Sequence, residues 1–200
     1  MRLSLRKKCM KKHWYDYLWI VSPIYLTLGF FNIIYAWIGL IFFFLPLLFA
    51  IFKGNKMYCN RYCDRGQFLS ILGKKLKLSR YRDTPSWMKS KAFRYAFLVF
   101  FLVMFANMLY VTYLVMTGVK DGGSFIKLFW TFKVPWSFAI DPTITPWVNQ
   151  FALGFYSLML TSTLIGVIVM ILYKPRTWCS FCPMGTMTQT ICAIKAKEKL

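Results

Sequence analysis

The chain has 200 residues, of which 58% are apolar and 20% aromatic, and only 16% are charged. A soluble domain of this size keeps about 25% charged residues, so this composition excludes an ordinary globular enzyme. The 26 Lys and Arg stand against 6 Asp and Glu, a net charge of +20. That imbalance would suit nucleic-acid binding, but the basic residues lie between long apolar runs, the pattern of a multi-pass membrane protein.

The first apolar run covers 17–52. As one helix it would be about 54 Å long, far beyond a hydrocarbon core of about 30 Å. The run is therefore read as two helices, broken near Gly29-Phe30-Phe31-Asn32. It is too long for a secretory signal peptide, and no Ala-x-Ala site follows it. The runs at 95–119 and 150–173 each suit one crossing. The sequence thus predicts an all-α integral membrane fold, a bundle of four transmembrane helices within a single domain. Segments 1–16, 53–94 and 174–200 then share one side with 23 Lys and Arg, leaving 3 on the other at 117–149. Basic segments stay cytoplasmic, which places both termini inside and the protein in the cytoplasmic membrane.

Cys59-Asn60-Arg61-Tyr62-Cys63 follows the second helix, and Cys179-Ser180-Phe181-Cys182-Pro183 follows the fourth. In this topology both pairs emerge at the cytoplasmic face. Four thiolates are the usual ligand set of a [4Fe–4S] cluster and also of structural zinc. Nearby Lys56, Arg61, Arg65, Lys174 and Arg176 favour thiolate over thiol and offset a cluster's negative charge. A reducing compartment disfavours disulfides. Cys9 and Cys192 are read as non-ligands.

The two halves repeat. Repeat 1 covers about 14–82 and repeat 2 about 90–198, each with two helices, a Cys pair, and a short interfacial helix. Gly66 stands three residues after Cys63, and Gly185 three after Cys182. Glycine permits close approach or a positive φ, so both are placed at the cofactor, with N–H groups aimed at sulfur. Parallel repeats are related by an axis along the membrane normal, where one cluster would take two ligands from each half.

Trp178-Cys179-Ser180-Phe181-Cys182-Pro183-Met184-Gly185 resembles the Cys-x(2–3)-Cys-Pro-x-Gly signature of the membrane-embedded 4Fe–4S binding proteins. That family includes the quinol-dehydrogenase membrane subunit of periplasmic nitrate reduction and the membrane part of the nitrous oxide reductase regulator. Cys59 to Gly66 looks like a first copy, with Asp64 where the signature has Pro. The resemblance implies electron exchange between a quinone or cytoplasmic donor and a partner redox protein. The chain lacks the appended ferredoxin-like domains of many relatives, so an onward carrier would be a separate protein.

No Asp, Glu, Lys, Arg or His lies inside the three apolar runs, which disfavours a transporter. The single histidine, His13, cannot supply bis-His haem ligation and reads as an interfacial residue beside Trp14 and Tyr17. The aromatic stretch from Phe125 to Trp136 is read as an amphipathic segment in the outer interface. Its functional alternative is a quinone pocket or a docking face for an extracytoplasmic redox protein. Phe68, Leu69, Ile71 and Leu72, followed by Lys74, Lys75 and Lys77, suggest a helix lying on anionic lipid at the inner surface.

The sequence is therefore read as an electron-transfer protein in the lipid bilayer with one [4Fe–4S] cluster on Cys59, Cys63, Cys179 and Cys182. An acidic ferredoxin- or flavodoxin-like protein is its expected cytoplasmic partner. One inner cluster cannot carry electrons across a membrane, so a quinone or flavin near 120–149, or a cofactor in a partner subunit, is also implied. The alternative is a scaffold or assembly factor clamped by four-thiolate zinc. A thiol–disulfide relay would need cysteines within the helices, and the three apolar runs contain none.

Overall fold

The computed structural model describes residues 14–54, 58–118, 127–128, 132–133 and 143–198. A 3₁₀ stretch, Trp14–Ile20, leads into α1 (Val21–Phe31), and a 3₁₀ turn at Ile33–Tyr35 leads into α2 (Ala36–Lys53). The expected break falls at Asn32. Its backbone is extended (φ −142°, ψ 119°), and its side chain accepts from the Ile34 N–H at 3.1 Å. Asparagine competes in this way with helical hydrogen bonding, which stops α1 and restarts the chain. Pro46 lies within α2, and the helix ends at Gly54, whose φ of 60° is the left-handed cap that glycine adopts without a Cβ penalty.

A π-helical turn, Tyr58–Tyr62, precedes α3 (Asp64–Lys75), and the one-turn α4 (Ser86–Lys89) precedes α5 (Lys91–Met116). Ser90 caps α5 by accepting from the Phe93 N–H at 3.2 Å. Two-residue strands β1 (Lys127–Leu128) and β2 (Phe132–Lys133) pair antiparallel. They are the one departure from helix among the described elements, and they fall within the aromatic stretch whose other residues lie outside the described set. Helix α6 (Pro146–Leu172) carries proline at its first position, where no hydrogen bond is lost. A 3₁₀ turn, Thr177–Ser180, then leads into α7 (Pro183–Glu198).

Among the described residues, three helices are long and apolar enough to cross a membrane: Ile33–Lys53, Lys91–Met116 and Pro146–Leu172. The first arm is shorter, with its apolar helical part at Tyr17–Phe31.

The short helices cross over between halves. From the first half, α3 packs on α6: a Cβ built on Gly166 would lie 3.2 Å from Leu69, and one on Gly73 would lie 3.0 Å from the Met170 sulfur. From the second half, α7 packs on α2, where the Lys195 ammonium donates to the Ile51 carbonyl. Helix α3 therefore differs from the expected lipid-facing helix. Leu69 is 2% exposed inside the bundle, while Lys74, Lys75 and Lys77 do face outward.

Two apolar clusters fill the molecule. One joins α1, α2, α5 and α6 through residues such as Tyr25, Phe43, Met108 and Phe155. The other joins Leu69, Met88, Val169, Met170, Trp178 and Phe181 beneath the second cysteine turn. A strap formed by 76–85 ties the end of α6: the Arg80 N–H donates to the Ile171 carbonyl at 3.0 Å, and Thr84 and Thr177 share a 3.1 Å hydrogen bond.

Candidate metal centre

Both cysteine turns end by capping a helix. Cys63 is the N-cap of α3, its sulfur accepting from the Gly66 N–H at 3.4 Å. Cys182 directly precedes Pro183, the first residue of α7, and the N–H groups of Gly185 and Met184 act on its sulfur. A sulfur at a helix N-terminus meets unpaired N–H groups and the positive end of the helix dipole, both of which favour negative charge.

The first cysteine of each pair is fixed by different means. The Cys59 sulfur lies 3.7 Å from the hydroxyl of Thr188, a buried residue of α7. This contact joins the first cysteine turn to the second half of the chain. Cys179 sits on the 3₁₀ turn, whose neighbours Trp178 and Phe181 are buried. Their rings meet each other at 5.1 Å and meet Phe97 of α5 at 5.7 and 5.4 Å, in edge-on geometries. Such aromatic contacts hold the turn against α5 and keep water from its inner side.

Cys59, Cys63, Cys179 and Cys182 line one cavity of about 120 Å³, together with Gly66 and Gly185. The structure thus brings together all six residues singled out from the sequence. Cys192 lies further along α7 and does not line it, and Cys9 and His13 lie outside the described residues. Tyr58, Asp64, Arg65, Trp178 and Met184 also line the cavity, which continues toward the apolar bundle past Phe43, Pro46 and Phe101.

The glycines act by lacking a side chain. Among the described residues, positive φ in glycine occurs at Gly54 and Gly118, so the alternative of a left-handed backbone at Gly66 or Gly185 is not met. A Cβ built on Gly66 would stand 3.5 Å from the sulfurs of both Cys63 and Cys179, filling space that a group held between them needs. One on Gly185 would stand 3.7 Å from the Cys179 carbonyl oxygen.

Electrostatics around the thiols differ from the sequence expectation. Burial pushes the Cys63 thiol well up, and the neighbouring Asp64 charge adds to this, while the Gly66 N–H opposes it. Burial also raises Cys182, against the N–H groups of Gly185 and Met184 and the Arg65 guanidinium. Cys179, the most exposed of the four by surface area, is pushed up to about 11 by desolvation and by Cys182, with Arg176 opposing. Arg65 and Arg176 thus act in the expected direction but are outweighed by desolvation. Lys174 is paired with Asp83, Arg61 is exposed, and Lys56 lies outside the described residues. A bound group would therefore have to supply most of the positive charge that holds buried thiolates, as a coordinated metal deprotonates its thiols outright. Four cysteines lining one cavity, N–H groups acting on two of their sulfurs and a gap that a methyl would fill fit an iron–sulfur cluster.

The family model described as a 4Fe-4S binding domain matches residues 35–82 and 157–200. Each matched stretch runs from a long apolar helix through a cysteine pair into the short helix beyond it. The match supports an iron–sulfur protein family for this chain. No curated protein and no solved structure matches the chain.

Three features of the site were not read from the sequence. Thr188 lies six residues after Cys182, a spacing that carries no signal by itself. Asp64, in place of the signature proline, accepts from the Ser22 hydroxyl at 2.8 Å and so ties α1 to the first cysteine turn. Arg65 points into the bundle, its guanidinium donating to the Ser162 hydroxyl at 2.8 Å and reaching the Met159 sulfur.

Proposed function

We propose that this chain is a membrane electron-transfer protein holding one [4Fe–4S] cluster on Cys59, Cys63, Cys179 and Cys182 at the cytoplasmic face. The observation that carries the proposal is the convergence of two cysteine pairs, more than a hundred residues apart, on one cavity. When bound, the cluster supplies a reversible one-electron couple. The N–H groups at Cys63 and Cys182 stabilise charge on sulfur, and Trp178 and Phe181 keep water from the inner side.

Four crossings account for the charge pattern and for the contacts of α1. The seven-residue 3₁₀ stretch and the eleven-residue α1 together rise about 30 Å, enough to span a hydrocarbon core. Near the start of this arm Gln67 donates to the Tyr15 carbonyl, Ser22 meets Asp64 about midway, and the Tyr156 hydroxyl meets the Leu26 carbonyl farther along. Such contacts support an arm that begins at the cysteine end and returns through α2, making two parallel helical hairpins. The basic segments then share the cytoplasmic side. The exposed Lys74, Lys75, Lys77, Arg80 and Arg82 form a basic region suited to an acidic ferredoxin- or flavodoxin-like partner, which they would steer by long-range attraction. A quinone, or a flavin in a partner, would complete the route toward an extracytoplasmic redox protein.

A zinc clamp would require four sulfurs each about 2.3 Å from one ion. Among the described residues, no three His, Cys, Asp or Glu side chains are grouped to hold a single ion, so the metal content decides between the two readings. Analysis of the purified protein for iron, acid-labile sulfide and zinc tests the proposal. A brown protein with matching iron and sulfide that bleaches with dithionite is expected. A colourless protein with one zinc would replace this reading with the scaffold one.

A further inference from the structure

We infer that Arg65 is the internal counter-charge of the cysteine cavity and raises the reduction potential of the group held there. The inference rests on the iron–sulfur reading above. Arg65 follows Cys63 by two residues and lines the same cavity, yet it does not turn out toward water. Its guanidinium donates to Ser162 and reaches Met159, ten and thirteen residues before the end of α6. At about 1.5 Å per residue, that is some 15–20 Å into the helix from its cysteine end. A cation is thus carried into the bundle from outside the apolar runs.

Among the described residues Arg65 makes no ion pair: Asp64, which lines the same cavity, accepts from Ser22, and the ion pair found is Lys174 with Asp83. A hydroxyl and a thioether do not pair the guanidinium charge, and a thioether is a weak acceptor. A charge so placed is costly unless an opposite charge faces it, and the cavity is where four thiolates would supply one. The second half provides an internal control. Its equivalent residue, two after Cys182, is Met184, and the same helix-capping turn forms there without any cation. The turn does not need Arg65 for its fold. Positive charge beside a redox group favours its reduced, more negative state, so removing the charge lowers the potential.

The test compares the full-length loaded protein with Arg65→Gln, Arg65→Lys and Ser162→Ala, measuring iron and sulfide content and the midpoint potential by EPR-monitored titration. Arg65→Gln is expected to keep its iron and to become at least tenfold harder to reduce, about 59 mV for a one-electron couple. Arg65→Lys should retain most of the wild-type potential because it retains the charge. Ser162→Ala, which frees the guanidinium, should shift in the same direction as Arg65→Gln but less. A fully loaded Arg65→Gln protein with the wild-type potential would overturn the inference, as would Arg65→Lys falling as far as Arg65→Gln. If Arg65→Gln does not accumulate, an unmoved Ser162→Ala potential overturns it instead. A wild-type protein without iron and sulfide would overturn the underlying reading first, and this inference with it.

Discussion

The two cysteine units can be laid over one another residue by residue, and they differ at two positions in four. Cys63-Asp64-Arg65-Gly66 faces Cys182-Pro183-Met184-Gly185. In both, cysteine caps a helix and glycine, three residues on, is placed at the cavity. Between them, the first unit carries two charges and the second carries none. Pro183 needs no partner at the first helical position, whereas Asp64 is tied to Ser22 and Arg65 reaches α6. The shared positions line the cavity alike, and the divergent ones make its two faces electrostatically unequal.

The comparison breaks most directly at the cysteines. Cys63→Ser and Cys182→Ser should each remove nearly all bound iron, because a cluster missing one of four thiolates on either side loses its hold. A large loss from one variant and none from the other, read as iron per folded protein, would show that the halves do not share one group. Next in size is Gly66→Val. Its side chain would stand between the Cys63 and Cys179 sulfurs, so most of the iron should be lost, while Gly185→Ala keeps most of it.

A third variant separates scaffold from site. A Cβ on Gly29 would lie 2.5 Å from the Tyr156 ring, and overpacking of this kind costs about 1–3 kcal/mol. Gly29→Ala should lower the melting temperature while iron per folded chain stays constant. Asp64→Pro converts the first unit toward the second. It forfeits the hydrogen bond from Ser22, costing about 1–2 kcal/mol, and Ser22→Ala should give a similar loss that does not add to it in the double variant. The smallest effect is expected at Asp83, whose carboxyl is held below its usual range by the Lys174 ammonium. A lowered carboxyl stabilises the fold above its ordinary pKa and loses that contribution as pH falls. Both partners are exposed, however, so Asp83→Asn should leave thermal stability at neutral pH unchanged within error.

The break at Asn32 was legible because a polar, turn-forming residue interrupts a run too long for one helix. The cysteine pairs and their glycines, which line one cavity, were legible because the same residue types recur at short spacing in both halves. Arg65 was legible only as one of five basic residues near the cysteines, and only the orientation of α3 against α6 directs it inward. Leu69 was misread for a related reason: an apolar face followed by lysines looks alike whether it lies on lipid or on another helix.

From the residues alone came the long apolar helices and the break at Asn32, since each depends on local composition or spacing. Tertiary structure decided that α3 crosses to the second half and α7 to the first, carrying both cysteine turns to a common space. It also decided which of the basic residues around that space enters the bundle. Packing between distant segments depends on shape and contact across the whole chain, and no short window of sequence contains it.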